Sequence, residues 1–403
     1  MYQNRFVYKK RPGISILLNI SLFIYALLLP ISTGLSGVIG NISLSNYFAS
    51  GIIIFGILNC LQRDKLTIPK YAVPTILYGL YSAISFAWVP EYKLNWYVGT
   101  NLVNVLMIIV LCACRYDVKL ETLKKWIGAS QIIVFIAVLA NLNSIYKYRL
   151  NIVVFSTIGI NDFACGLCLL IALWMGVTTL DKKRWRGISC FMIALDLAII
   201  FLAGSRGALI MFFAMVMIWV VFGDYSKKTK VYTGIFIVIA FVFFSTKFIN
   251  YLPNTIRSRM SFEAVQQTHG SGRYNVWRLA WRTFQNANPI RKLFGFGFNS
   301  FTEVVKYGDY GGVHDLMAHN VVLQTMIEGG LVGLSLLLFM IYSQIKMAWK
   351  RNDTFMKTAV VGLFIAAMSI DMQVTRVWGF ILAMNIVQNR NKPIEDLQSS
   401  NMK

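Results

Sequence analysis

Residues 251–320 read YLPNTIRSRMSFEAVQQTHGSGRYNVWRLAWRTFQNANPIRKLFGFGFNSFTEVVKYGDYGGVHDLMAHN, the one long polar stretch in a chain otherwise built of apolar runs. The stretch holds all 3 histidines of the protein, His269, His314 and His319. It also carries Arg257, Arg259, Arg273, Arg278, Arg282, Arg291, Lys292 and Lys306. A short turn between two membrane helices needs none of this, and connections longer than ~12–15 residues usually carry function. Its middle has a pattern of its own. After Gly272, residues Arg273, Trp277, Leu279, Ala280, Trp281 and Phe284 set large apolar groups at helical spacing. Pro289 and the glycines of GFGF, Gly295 and Gly297, then predict the end of that helix and a turn. Residues 251–319 are expected to form a structured, basic, aromatic-lined lid.

Outside this stretch the chain is a series of membrane spans. Its 403 residues are 57% hydrophobic and only 14% charged, with a mean hydropathy of +0.58. A soluble domain of this size is not so apolar, and runs of ~18 or more apolar residues cross a ~30 Å hydrocarbon core. The fold class predicted is all-α, a polytopic membrane protein forming a single membrane domain over 1–403. About twelve spans are expected, near 14–34, 45–61, 71–89, 98–115, 127–143, 162–179, 188–203, 207–222, 231–250, 320–345, 355–371 and 374–389. The lid is then one long, partly helical extracytoplasmic loop, and 391–403 a flexible cytoplasmic tail. No cleavable signal peptide is evident in MYQNRFVYKKRPG, which reads as a cytoplasmic start.

A net charge of +22 raises the possibility of a nucleic-acid partner. The distribution argues against it, because most of the positive charge lies in short runs between alternate spans, where the positive-inside rule puts it. The lid breaks that rule and needs its own explanation. All 6 cysteines lie in or at the ends of apolar runs and read as small buried side chains rather than a redox or metal pair.

With the N-terminus inside, three further polar features fall on the lid's side. They are Asn161-Asp162 at the mouth of the sixth span, Gly204-Ser205-Arg206-Gly207 between the seventh and eighth, and His319-Asn320 where the lid re-enters the membrane. Arginines at headgroup level suit phosphate or pyrophosphate, whose oxygens the guanidinium fork binds bidentately without ever losing its proton. An interfacial arginine can also simply snorkel, but the flanking glycines and short spans favour a substrate role for Arg206. Arg273 reads equally as an anchor or a surface charge. Interleaved aromatics suit sugar faces or a lipid boundary. Histidine titrates near neutrality and can take a proton from an attacking hydroxyl. A lone histidine more often caps or packs, yet the position of His319 before Asn320 favours the base, while His314 and His269 read as structural. Glu328 lies nine residues on, roughly 180° around a helix from His319, and is expected to pair within the bundle. Gly329, Gly330 and Gly333 suit close helix packing. Asp196 falls mid-span, and the sequence names no partner for it.

These pieces resemble the bacterial O-antigen ligase and O-antigen or capsule polymerase superfamily. The resemblance rests on Gly204-Ser205-Arg206-Gly207, on Gly272-Arg273 with Trp277 and Pro289, on Gly295-Phe296-Gly297 with Phe301, and on HNVVLQTMIEGGLVGL from His319 to Leu334. Asn161 fits an asparagine such proteins often carry at the mouth of a middle span. The resemblance covers about residues 155–345, in order. It implies transfer of an undecaprenyl-pyrophosphate-linked glycan outside the cytoplasmic membrane, without a metal or other cofactor. His319 would be catalytic, Arg206 and Arg273 would bind the pyrophosphate, and Asn161, Arg278, Asn320 and His314 are further candidates. The acceptor would be the growing glycan in a polymerase or lipid A-core in a ligase. A flippase and a chain-length regulator are implied as partners besides membrane lipid. Nothing in the sequence demands lipid A-core, so the reading leans to polymerase. A transporter or flippase is the alternative from another class; it would show repeats or broken helices at mid-membrane, whereas here the polar load is one-sided.

The topology has a direct test. In a cysteine-free variant, a cysteine at Ser271 should react with an impermeant reagent from outside, and one at Ser226 only after permeabilisation. Labelling of Ser271 only from the cytoplasm would put the arginines and His319 on the wrong side for this chemistry.

Overall fold

The computed structural model describes residues 12–35, 44–62, 68–89, 96–114, 119–146, 150, 152–153, 159–178, 183–223, 227–251, 254, 256–257, 273–305, 317–350, 353–370 and 375–390. His269, Gly272, Lys306, His314 and the tail 391–403 lie outside them. The described chain is helical, and a helix stands at each of the expected spans. In order these are α1 (Pro12–Leu28, continued by a 3-10 turn, Leu29–Leu35), α2 (Leu44–Leu61), α3 (Val73–Ser85), α4 (Trp96–Ala113), α5 (Leu120–Asn141) and α6 (Ile160–Thr178). Next come α7 (Lys183–Ala203), α8 (Arg206–Phe222) and α9 (Lys227–Thr246). The lid supplies α10 (Arg273–Asn286), α11 (Pro289–Phe294) and the single turn α12 (Phe301–Val304), and the chain closes with α13 (Val321–Lys350), α14 (Thr354–Ala367) and α15 (Arg376–Arg390).

Five helices among the described residues are long and apolar enough to cross a membrane: Gly13–Ser32, Leu44–Leu61, Glu121–Ile145, Trp185–Ala203 and Val321–Lys350. Four shorter apolar helices accompany them, Gly99–Ala113, Gly166–Val177, Arg206–Phe222 and Thr354–Ala367. This is the make-up of a multi-pass membrane protein, although length and composition do not by themselves establish twelve crossings.

Contacts between helix termini define two ends of the bundle, with α14 running antiparallel to α6 and α8. At the lid end, Gly207 of α8 approaches Ser369 and Ile370 beyond α14, and Cys168 of α6 donates to the Ala208 carbonyl of α8 at 3.4 Å. At the opposite end, Lys124 of α5 pairs with Asp353 before α14 at 3.0 Å, and Gly176 of α6 lies against Phe355. Between the ends, buried polar bonds tie helices together. Asp196, fully buried in α7, accepts from Gln131 Nε2 of α5 at 2.7 Å. Gln131 Oε1 in turn accepts from the Trp174 indole of α6 at 3.0 Å. Asp196 thus has its partner, a side-chain amide on another helix.

The lid is fixed to the bundle through a break in α13. Thirty helical residues would run about 45 Å, longer than a ~30 Å hydrocarbon core. Gly330 interrupts them with φ 62° and ψ −160°. The carbonyls of Ile327 and Glu328, just before the break, accept from the N–H groups of Phe296 (3.0 Å) and Gly297 (2.8 Å) of the lid. The Tyr81 hydroxyl of α3 lies 2.9 Å from both the Gly329 and Phe294 carbonyls, joining helix and lid from a third side. Phe298 N–H donates to Ser85 Oγ at the end of α3 at 3.1 Å. Arg291 Nη1 reaches the Trp88 and Gly295 carbonyls at 3.4 Å each, and its guanidinium sits 5.4 Å from the Phe296 ring centroid.

Two expectations change here. The helix from Arg273 does end just ahead of Pro289, at Asn286, but Pro289 then opens α11, with Asn288 as its N-cap accepting from Arg291 N at 2.8 Å, because proline at the first helical position lacks only an N–H that would be unbonded anyway. Gly330 serves more than close packing. A Cβ there would stand 2.5 Å from Gly295 N and Leu293 O, in a backbone conformation that L side chains avoid. Gly329 and Gly333 do pack closely on Tyr81: a Cβ added at either would stand 3.3 or 3.0 Å from a ring carbon.

Gly330→Ala combines left-handed strain of ~1–2 kcal/mol with a backbone clash, and should destabilise the protein by about 2 kcal/mol or more. Its melting midpoint in detergent should fall and its lid should become sensitive to limited proteolysis, while Gly329→Ala stays closer to wild type. Equal behaviour of the two variants would show that the break does not hold the lid.

Candidate functional site

The site is built where the lid returns to the membrane. Helix α10 is amphipathic: Val276 and Ala280 are buried, while Tyr274, Arg278 and Trp281 are exposed. With Phe301, Val305, Ala318 and Ile327 the buried pair forms a small core of its own, flanked by Trp277, Phe284 and Phe296. The segment Met317–Asn320 runs over this core and is held by polar bonds at nearly every residue. The Trp277 indole donates to the Ala318 carbonyl at 2.7 Å. Ala318 N–H donates to Gln324 Oε1 at 3.0 Å, and Gln324 Nε2 donates to Glu328 Oε1 at 2.7 Å. Gln324 and Glu328 are both buried, so this short relay is shielded from competing solvent.

Asn320 caps α13. Its Oδ1 accepts from Val322 N at 3.0 Å and Leu323 N at 3.2 Å, the ordinary work of an asparagine at a helix start. Between the two clamps stands His319, with φ 47°. A residue other than glycine in this region is strained by roughly 1–3 kcal/mol, and such strain persists only where its surroundings over-determine it. Here the Ala318 bonds on one side and the Asn320 cap on the other do so. The imidazole is partly exposed, and Nδ1 is its buried ring atom.

The other candidates fall into place around helix starts. Gly204 (φ 61°) ends α7, and Ser205, buried, is the N-cap of α8. That leaves Arg206 as the first helical residue of α8, and Arg273 is likewise the first of α10. A cation at a helix N-terminus opposes the macrodipole by ~0.3–1 kcal/mol unless an anion meets both. Asn161 stands in the first turn of α6; its side chain lies outside the described residues, as does His314. Arg278 is exposed on α10. The starts of α6 and α8 meet at the lid end of the bundle, where α13 also begins. The structure links Trp277, Ala318, Gln324 and Glu328 in one hydrogen-bonded chain, beside His319 and the Asn320 cap. Arg206 sits elsewhere at that end, since α8 packs on α6 and α14 while α10 packs on α13. Among the described residues no three His, Cys, Asp or Glu side chains group as metal ligands.

The sequence does not disclose the Gln324–Glu328 relay or the bond from Trp277. The spacing of Gln324 and Glu328, four apart on one helix face, is the signal it does contain. Glu328 is bonded within the bundle as expected, yet through Gln324 it reaches back to the residue before His319.

A multi-pass helical membrane protein with a lid bonded into a broken helix, and with arginines and a strained histidine at helix starts, is a defined class of architecture. Residues 191–338 match the family described as O-antigen ligase. The matched segment contains the Arg206 turn, the whole lid and the His319 junction, and it supports the O-antigen ligase/polymerase superfamily, whose members are glycan-processing enzymes. No curated protein matches the chain.

Gln324→Leu removes the acceptor for Ala318 N–H and leaves a buried donor unmet, a cost of ~1–3 kcal/mol. Hydrogen exchange of peptides covering 317–320 should quicken by about tenfold, with α14 peptides unchanged. Unaltered exchange at 317–320 would mean that the relay does not hold the histidine segment.

Proposed function

We propose that the protein polymerises undecaprenyl-pyrophosphate-linked oligosaccharide repeat units during surface polysaccharide synthesis, with His319 as general base. The observation that supports this best is the junction itself: a histidine held in a strained conformation by bonds on both sides, where a basic lid meets a membrane helix. In this reading α1–α9 and α13–α15 make twelve crossings of a bacterial cytoplasmic membrane, and the lid lies outside. Arg206 and Arg273, each at a helix start, bind the pyrophosphate, so side-chain charge and helix dipole both favour the anion. They stabilise the leaving group without a metal. An acceptor sugar hydroxyl loses its proton to His319 as its oxygen bonds the anomeric carbon and the carbon–pyrophosphate bond breaks. A single displacement of this kind inverts the donor's anomeric configuration. Asn161, Arg278 and His314 are placed by this reading along the same donor path, and Asn320 acts through the cap that positions His319.

The second reading, transfer of a finished glycan to lipid A-core, uses the same groups. Deletion of the protein followed by a surface-polysaccharide gel separates the two. Single repeats mark a polymerase, whereas full-length polymer left on its carrier marks a ligase.

With purified protein and lipid-linked repeat units, His319→Ala should lower turnover by ~10²–10⁴-fold with donor binding retained. Arg206→Lys keeps the charge but loses the fork, and should weaken donor binding as well as turnover. A His319→Ala variant that keeps more than about a tenth of wild-type turnover would remove the histidine from the chemistry.

A further inference from the structure

At the end of the bundle opposite the lid, a cavity of about 350 Å³ opens between the start of α3 and the last turns of α13. It lies within the ~300–1,000 Å³ range of small-molecule sites. Three lysines line it, Lys70 from the turn before α3 and Lys346 and Lys350 from α13. All three are exposed, and no acidic side chain is among the lining residues described. The Lys346 ammonium lies 5.6 Å from the ring centroid of Tyr342, another residue of the cavity lining.

The cavity is graded along its depth. Phe339, Tyr342, Ser343, Lys346 and Lys350 follow one face of α13. Phe339 lies roughly 16 Å further into the bundle than Lys350, at ~1.5 Å per residue. The deep wall is apolar, with Phe339 and the buried Pro74, and Leu338 and Phe339 are exposed on the membrane face at 53% and 52%. The rim is cationic. A soluble anion would have no use for the apolar wall, and an acyl chain alone none for three lysines. A molecule with a phosphate head and a hydrocarbon tail meets both.

The geometry points to a specific site for an anionic phospholipid of the leaflet at the lysine end, its phosphate among Lys70, Lys346 and Lys350 and the upper part of one acyl chain along Phe339. Basic pockets between membrane helices take such headgroups. The site stands apart from the candidate catalytic junction and does not depend on the proposed activity, but it loads the same helix, α13, whose other end carries Asn320.

The test titrates the detergent-purified protein with phosphatidylglycerol, or with phosphatidylcholine of the same chains, and counts bound lipids by native mass spectrometry. The wild type should retain phosphatidylglycerol preferentially. The variant Lys70→Gln/Lys346→Gln/Lys350→Gln should bind it about 100-fold more weakly, at roughly fivefold per lysine. Neutralising Lys227, Lys228 and Lys230 at the start of α9 should leave binding largely intact. On the unmutated protein in nanodiscs, phosphatidylglycerol should slow acylation of Lys346 and Lys350 relative to phosphatidylcholine more than it slows Lys227 and Lys228. Equal losses in the two triple variants, or uniform protection of all lysines, would reduce the cluster to ordinary interfacial charge. Displacement of the lipid by inorganic phosphate would make it a soluble-anion site and overturn the assignment.

Discussion

A backbone carbonyl that faces hydrocarbon without a donor costs several kcal/mol, and this constraint governs how the lid and the bundle fit together. Helix α13 breaks at Gly330, and the break is possible because Phe296 and Gly297 of the lid supply N–H groups to the Ile327 and Glu328 carbonyls. Lid and helix are therefore one unit. The GFGF segment acts as a short substitute for a missing helical turn, and Gly295, Gly297 and Gly330 are needed because backbone meets backbone there. Irregular backbone in a membrane protein is tolerated where protein buries it, and here the end of α3, through Tyr81 and Ser85, closes the third side.

From that unit the candidate site follows. Once the break fixes the first part of α13, Gln324 and Glu328 lie in a buried segment and can hold Ala318. The clamp on Ala318 and the Asn320 cap leave His319 a left-handed backbone, so the strain at the histidine is a consequence of how the lid is tied down. The polarity of the whole molecule runs the same way. Helix starts bearing Arg206 and Arg273 gather at the lid end. Lysines gather at the other, some in ion pairs such as Lys124–Asp353 and some around an amphipathic cavity.

Much of this architecture is legible in the chain alone. The apolar runs predict where helices stand, since hydropathy is a sum over neighbouring residues and needs no knowledge of the fold. The spacing of Trp277, Ala280, Trp281 and Phe284 announces a helix within the lid for the same reason. The Gly204-Ser205-Arg206-Gly207 turn stands out as a polar break between two apolar runs, while its left-handed glycine and capping serine are seen only in the structure. What is not legible depends on partners far away in the chain. Asp196 reads as solitary because Gln131 is on another helix. Helical periodicity places Glu328 only by its angle to His319, and its route through Gln324 to Ala318 exists only when the lid is folded back.

The sequence by itself determined the class of the protein, the placing of its helices and the residue types available for chemistry, because each of these is written in composition, periodicity or short motifs. Only the tertiary structure decided which of three nearby glycines breaks α13 and that His319 is held in strain. Those outcomes are set by hydrogen bonds between residues such as Tyr81 and Gly329, or Phe296 and Ile327. An unpaired carbonyl is satisfied by whichever donor the fold brings within about 3 Å, and no local reading of the chain contains that distance.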